Sequence, residues 1–339
     1  MYPRPKETHH DLQALIDAQA DFIVANQLPS GGIPWYQGGI LDPWDHVEAA
    51  IALDLSGRPT EAAAAYLWSR NKQNADGSWY SSYADDTPKE LVRDANFTAY
   101  IGTGVWFHYL ATQDPESLRQ MWPAVEKATD FVLSLQQPTG EVWWALSPQG
   151  KAWPGAILTS CCCIWHSICN SLNIARTLGI DRPEWEAANN RLFRAITERP
   201  DLFDRMGEDK RRYAMNWFYP VLTGVLKWEE AGSLIDSKWA DFIIEGWGCR
   251  VALDEDVTAV AETSELIIAL CLIGEHKRAK LLLDWTLRLR DSRPGFCRGV
   301  KLPEQHECPA ERATWTSAAL IMAVAALAGC RAPTDRTVV

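Results

Sequence analysis

The chain has 339 residues, 47% of them hydrophobic and 23% charged, and a formal net charge of -11. This composition suits a packed globule and argues against disorder. The acidic balance, with no basic run, disfavours nucleic-acid and anionic-membrane partners, because both need clustered Lys and Arg. No stretch reaches the roughly 18 uninterrupted apolar residues of a membrane span, and "MYPRPKETHHDLQAL" lacks a signal peptide's apolar region, so a cytoplasmic location is expected.

Periodicity at 3.6 residues, with Pro, Gly and Asp clusters as breaks, predicts twelve helices and no strand pair. In chain order they span 9–26, 44–56, 59–72, 94–112, 115–136, 159–178, 183–198, 215–229, 232–246, 258–273, 275–290 and 311–328. Short links such as "SGR" and "TQDP" follow the even-numbered helices up to the tenth. Long loops at 27–43, 73–93, 137–158, 199–214, 247–257 and 291–310 follow the odd ones. Short links make tight antiparallel hairpins, so the long loops gather at one end. Even helices such as "AALIMAVAALAG" are small and apolar, whereas odd ones such as "ESLRQMWPAVEKATDFVLSLQ" carry a polar face. The pattern predicts an all-α (α/α)6 toroid with even helices inside and odd helices outside. A single domain is expected over 1–330, with a tail at 331–339.

Nine cysteines, three of them consecutive in "TSCCCIWHSICNS", lack the paired C-x-x-C spacing of a zinc site and read as reduced, buried small hydrophobes. With no phosphate loop or nucleotide fingerprint either, neither metal nor cofactor is predicted. Seventeen tryptophans are a heavy load. Trp35, Tyr36, Trp79, Trp144 and Trp153 fall in the long loops, where large rings are costly to expose unless something covers them.

Three long loops open alike, "NQLPSGGIPW", "KQNADGSW" and "QQPTGEVWW", each with Gln, Gly and then Trp, some 46 to 63 residues apart. This signature resembles the repeat of squalene cyclases and protein prenyltransferases. The twelve-helix layout is similar to that of the six-hairpin glycosidases, and both groups share the toroid. The cyclase motif Asp-x-Asp-Asp-Thr is approached only in "DEDVTAV", where Asp254 and Asp256 match and Val257 replaces the third aspartate.

The inner-helix entrances collect Asp42, Trp44, Asp45 and His46; Asp94 and Asn96; Trp165 and His166; Asn216, Trp217 and Tyr219; Glu262 and Glu265; and Glu311, Arg312 and Trp315. Helix capping accounts for any one of these carboxylates. Rings and carboxylates round one depression describe a sugar site, with C–H faces on indoles and hydroxyls on acids and amides. Glycoside hydrolysis needs two carboxyls across the scissile bond. Resemblance to the toroid glycosidases implies inversion, and the pair Asp42 and Asp45 looks like the aspartate pair of the family 9-like enzymes, with Asp45 as base and Asp42 orienting it. Glu262, flanked by Ala261 and Thr263, is the expected acid, because desolvation would keep it protonated; Glu311 is the rival. The expected partner is a small-molecule substrate, a sugar or oligosaccharide. A prenyl or terpene-cyclising enzyme and a non-catalytic glycan-binding toroid are the alternatives.

Overall fold

The computed structural model describes residues 12–329; the first predicted positions, 9–11, and the predicted tail at 331–339 lie outside them. Twelve α-helices occur there: α1 Leu12–Asn26, α2 Pro43–Leu55, α3 Pro59–Lys72, α4 Ala95–Thr112, α5 Pro115–Ser134, α6 Leu158–Thr177, α7 Pro183–Glu198, α8 Ala214–Leu222, α9 Trp228–Phe242, α10 Val260–Leu272, α11 His276–Leu287 and α12 Thr314–Leu327. Proline at the first helical position starts α2, α3, α5 and α7, where its missing N–H would have had no partner anyway.

Each even helix packs against the even helices before and after it, and α12 packs against α2, which closes an inner ring. The odd helices lie outside: α3 rests on α2 and α4, α5 on α4 and α6, and α11 on α10 and α12. Sidedness follows sequence. Almost every residue of α2 and α12 is buried, whereas α7 buries only Trp185, Ala188, Asn189, Leu192, Ala195 and Ile196. The fold is the (α/α)6 toroid, and the long loops lie at the end where the inner helices begin.

Those loops contain the strand pairs that the sequence did not predict. β1 (Ser82–Ala84) pairs with β2 (Thr87–Glu90), β3 (Arg93–Asp94) joins β4 (Ala145–Leu146) and β5 (Ala152–Trp153), β6 (Ile243–Ile244) pairs with β7 (Gly248–Cys249), and β8 (Val257–Ala259) joins β9 (Gly299–Lys301) and β10 (His306–Glu307). All pairings are antiparallel. At two to four residues each, these strands carry no period of their own. The fourth hairpin also differs from its predicted bounds. Gly224, at φ +76°, sits in the α8–α9 link just beyond the helix end at Leu222, and Ile243 and Ile244 leave the helix for β6.

The repeated Gln and Gly form a structural clasp. Gln27 donates its amide to the carbonyls of Gly31 (2.9 Å) and Glu61 (3.0 Å), Gln73 to Gly77 (2.9 Å) and Ala124 (2.8 Å), and Gln136 to Gly140 (2.9 Å) and Ala188 (2.8 Å). Each thus ties the end of one outer helix to the body of the next. Gly31, Gly77 and Gly140 have φ of +98°, +92° and +107°, and a Cβ on any of them would strike a backbone carbonyl of that next helix, at Ala64, Lys127 or Arg191. Two residues further on, Ile33, Trp79 and Val142 plug the core. Gln and Gly recur because stacked outer helices need them; the tryptophan does not hold a fixed place.

Gly77→Ala is expected to destabilise the fold by about 2–4 kcal/mol, because it adds left-handed strain to a backbone collision. Gly57→Ala, at φ +75° but with nothing near its Cβ, is expected to cost only about 1 kcal/mol. Urea unfolding of the two variants measures the difference, and equal losses would contradict the clasp.

Candidate active site

Asp42 caps α2. One carboxylate oxygen accepts from the backbone N–H of Trp44 and Asp45, both at 3.0 Å, and the other accepts from the Trp35 indole N–H at 2.6 Å. Asp45, in the first turn of the helix, stays partly accessible and shares a side-chain hydrogen bond with Asp42. Burial raises both carboxyls above their usual range. Asp45 is raised well above it, because the charges of Asp42, Glu48 and Glu265 add to desolvation, and the pair titrates as a unit.

Trp35 carries the arrangement across the mouth. Its ring meets Trp315 edge-on at 6.3 Å, and the Arg298 guanidinium lies 5.7 Å from the Trp35 ring and 5.0 Å from the Trp315 ring. Arg298 in turn lowers the proton affinity of Glu262, against a larger upward push from burial. Glu262 Oε2 is buried without a hydrogen-bond partner, as are Arg298 Nε and Trp315 Nε1. Asp42 and Glu262, 220 positions apart in the sequence, are therefore related through the mouth: Asp42 bonds Trp35, Arg298 lies against the Trp35 ring, and the charge of Arg298 acts on Glu262.

One turn deeper, a second pair of carboxylates repeats the first. Glu48 accepts from Trp44 Nε1 (2.9 Å) and the Tyr100 hydroxyl (3.3 Å), and Glu265 accepts from the Tyr219 hydroxyl (2.8 Å). Burial pushes Glu48 up to about 7 and Glu265 well above the usual range. Glu48, Tyr100, Tyr219 and Glu265 line a cavity of about 60 Å³ on the toroid axis, which Cys163, His166 and Met322 also border. His166 donates its Nδ1 proton to the Thr223 carbonyl (3.2 Å), and burial takes its pKa down to about 4, so it is neutral. Glu48 was not singled out from the sequence, and Glu265 was collected at an inner-helix entrance without a role. Their signal was a carboxylate three residues after another, on one face of an apolar inner helix.

The mouth also receives Asp94, which caps α4 by accepting from Asn96 N (2.7 Å) and Phe97 N (3.1 Å) and is raised to about 7 chiefly by burial. Both polar atoms of the Asn96 side chain are buried without partners. Trp144 and Trp153 face each other across β4 and β5 at 5.1 Å, close to the start of α4, and Tyr36 is exposed in the loop before α2.

Other expected site residues are placed elsewhere. His46 is buried, accepts from Ile33 N (3.1 Å) at Nδ1 and uses Nε2 on Ala65 O (3.0 Å) and Ser69 Oγ (3.1 Å); with a pKa near 4 it is a neutral scaffold side chain. Trp79 and Trp217 are core residues whose indole N–H groups donate to the carbonyls of Ser69 and Leu234. Asn216 donates to Asp204 (2.8 Å), which itself accepts from Leu158 N at the start of α6. Trp165 faces outward onto Phe193 of α7, because consecutive helical residues diverge by about 100° from each other. Glu311 is exposed in the turn before α12, and Arg312 is engaged by Asp291 (2.7 Å), Glu307 (3.1 Å) and the Gly295 carbonyl (2.9 Å), away from Glu311. Asp254 and Asp256 of the cyclase-like run pair with Arg212 and Arg250 on the surface. Among the described residues no group of three His, Cys, Asp or Glu side chains is placed to hold a metal ion.

No family model matches the chain. It is 42% identical over 323 residues, 95% of this chain and 86% of the other, to the MMP endo-(1,4)-3-O-methyl-alpha-D-mannosidase of Mycolicibacterium hassiacum. The chain belongs to the family of that glycoside hydrolase. Two solved structures share its fold: a D-mannose isomerase, with a TM-score of 0.75 at 10% identity, covering 97% of this chain and 100% of that one, and a glycosidase bound to glucose, with a TM-score of 0.74 at 13% identity, covering 96% and 99%. In this glycoside hydrolase, the repeat that resembles the cyclases serves the outer-helix clasp. The carboxylates belong to a carbohydrate-active enzyme.

The raised Glu48 has a consequence for stability. The folded hydrolase keeps a proton that the unfolded chain loses near 4.5, so the native state binds more protons between that pH and about 7, and stability falls as pH rises through the window. Glu48→Gln keeps the acceptor for Trp44 and Tyr100 but not the titration. Relative to the parent protein it is expected to gain up to about 3 kcal/mol between pH 5 and pH 8. Urea unfolding at the two pH values measures this, and an unchanged difference would contradict it.

Proposed function

We propose that the hydrolase cleaves internal α-(1,4) linkages of a 3-O-methylated mannoside chain with inversion. The sequence identity to the Mycolicibacterium hassiacum enzyme supports the substrate. The observation that carries the mechanism is the pair Asp42 and Asp45 at the start of α2, tied by Trp35 to Arg298, whose charge also acts on the buried Glu262. O-Methylation makes the sugar faces more apolar, which suits the half-buried indoles of Trp35, Trp44 and Trp315.

Asp42, held by three N–H donors, keeps the charge of the pair and fixes Asp45. Once the shared proton has left, Asp45 takes a proton from a water that attacks the anomeric carbon from the face opposite the leaving group. Glu262, whose proton affinity burial raises, gives its proton to the glycosidic oxygen as the anomeric carbon–oxygen bond breaks. The products are two hydroxyl-terminated sugars, and the next water restores both protonation states.

Asp45→Asn and Glu262→Gln are each expected to lower kcat by about 10²–10⁴-fold, while Glu311→Gln leaves it unchanged; release of reducing ends from α-(1,4)-linked 3-O-methylmannose oligomers reads this out. Full turnover by either of the first two variants would remove the assignment, and proton NMR of the first-formed anomer tests inversion. The charge of Asp42 raises Asp45, so the acidic limb of kcat/KM lies above the ordinary aspartate range. Asp42→Asn is expected to move that limb to lower pH while lowering kcat, and an unmoved limb would show that the two do not titrate together.

No helix among the described residues is long and apolar enough to cross a membrane. The eight described cysteines are all free, which supports a reducing, cytoplasmic location.

A further inference from the structure

A groove of about 710 Å³ lies on the outside of the ring between α6, α7 and the α8–α9 link, toward the end opposite the mouth. Its volume falls in the range of small-molecule sites, roughly 300–1,000 Å³. It exists because α8 has nine residues against twenty in α6, so the link after Leu222 runs alongside α6 and leaves the flank of α7 uncovered.

Three large rings border it. Trp165 and Phe193 meet at 5.7 Å in its wall. At the rim stands Trp228, the first residue of α9, 85% exposed and at φ +54°. A bulky residue in the left-handed region is strained, and an indole open to water carries its own penalty. Among the described residues no side-chain hydrogen bond caps the start of α9 to offset either one.

The uncharged polar side chains are amides. Asn189 is 5% exposed; its Nδ2 donates to Cys169 Sγ (3.1 Å), while its Oδ1 is buried with no partner. Such an oxygen normally finds a donor. Asn173 and Asn190 add further amides. The charged residues are of both signs, Arg176 and Lys227 against Glu186, Glu229 and Glu230, and Arg176 already binds Glu186 at 2.8 Å. This mixture selects neither a strong anion nor a strong cation. Flat rings, amides and balanced charge together match a neutral ligand with hydroxyls and apolar faces.

We propose that this groove is a second, non-catalytic saccharide-binding site, in which Trp228 and Trp165 stack on sugar faces and Asn189 Oδ1 accepts a sugar hydroxyl. The choice of a sugar as the ligand class rests on the glycoside-hydrolase reading of the mouth. The two sites are divided by α6, whose consecutive residues Trp165 and His166 face the groove and the axial cavity respectively. A polymer held at the groove stays tethered while the rest of its length is free to reach the mouth, which raises the local concentration of cleavable linkages.

The test is calorimetric titration of the Asp45→Asn protein, and of the same protein carrying Trp228→Ala, with a tetrasaccharide of α-(1,4)-linked 3-O-methylmannose. Two binding events are expected in the first, with one of them weakened about tenfold in the second, as loss of one stacking ring implies. Trp228→Ala alone is expected to hydrolyse the tetrasaccharide at the parent rate but to show a raised KM on long polymer. A single binding event indifferent to Trp228→Ala, or none, overturns the second site. Failure of the parent enzyme to cleave the tetrasaccharide instead overturns the proposed function; the groove is then judged by the same titration, where Trp228-dependent binding upholds it and its absence overturns it.

Discussion

The closure of α12 onto the first hairpin is the contact on which the site depends, because it joins the two ends of the chain and sets the position of Trp35. Thr314 donates its backbone N–H to the Trp35 carbonyl at 2.7 Å and its hydroxyl to the Pro34 carbonyl at 2.8 Å; Ser317 donates to the Gln19 side chain at 2.8 Å. These bonds span 280 and 298 positions of sequence, so the entropy of closing that loop is met only when the whole ring has assembled. Once Trp35 is held, its indole N–H is aimed at Asp42 and its ring lies under Arg298. A mouth built on an unclosed ring would have the same residues without Trp35 held between Asp42 and Arg298.

The tryptophans show one chemical device used for two ends. In Trp79, Trp217 and Trp185 the indole N–H staples one element to another, reaching the carbonyls of Ser69 and Leu234 and the carboxylate of Asp130. In Trp35 and Trp44 the same donor reaches Asp42 and Glu48 at the mouth. A buried carboxylate stays charged only if donors replace its lost water, and an indole supplies one donor inside a large apolar body. The heavy tryptophan content thus belongs to the packing of two helical layers as much as to a ligand.

Much of this could be read from the sequence because the governing pattern is local. Helical period, loop length and the apolar character of even helices each depend on neighbouring residues, and they led to the toroid and to Asp42, Asp45 and Glu262 at its mouth. Position along the axis was legible; direction round a helix was not. Trp165 and His166 were placed together, yet they face opposite sides of α6. The strands were invisible because β3 and β4 have two residues each and meet across about fifty positions, a pairing no local pattern encodes. Trp79 stood in a loop and looked like a ligand platform, but the clasp of Gln73 and Gly77 turns that stretch inward.

The carboxylates Asp42, Asp45, Glu48, Asp94, Glu262 and Glu265 are all raised in proton affinity, with burial the first cause in each. Six ionised groups in one low-dielectric cup would repel one another by far more than a fold of marginal stability tolerates. Burial therefore favours the protonated form across the cup, and charge is best tolerated on groups such as Asp42 that have several fixed donors. A neutral sugar suits this state: it replaces water with hydroxyls that both donate and accept, so it can satisfy protonated and ionised carboxyls alike, whereas an anionic ligand would meet the residual negative charge. The same balance lets neighbouring carboxyls serve opposite roles, since the group with more donors keeps its charge while a drier one keeps its proton. Chemistry that needs an acid and a base in the same cup thus follows from the electrostatics that the closed ring imposes.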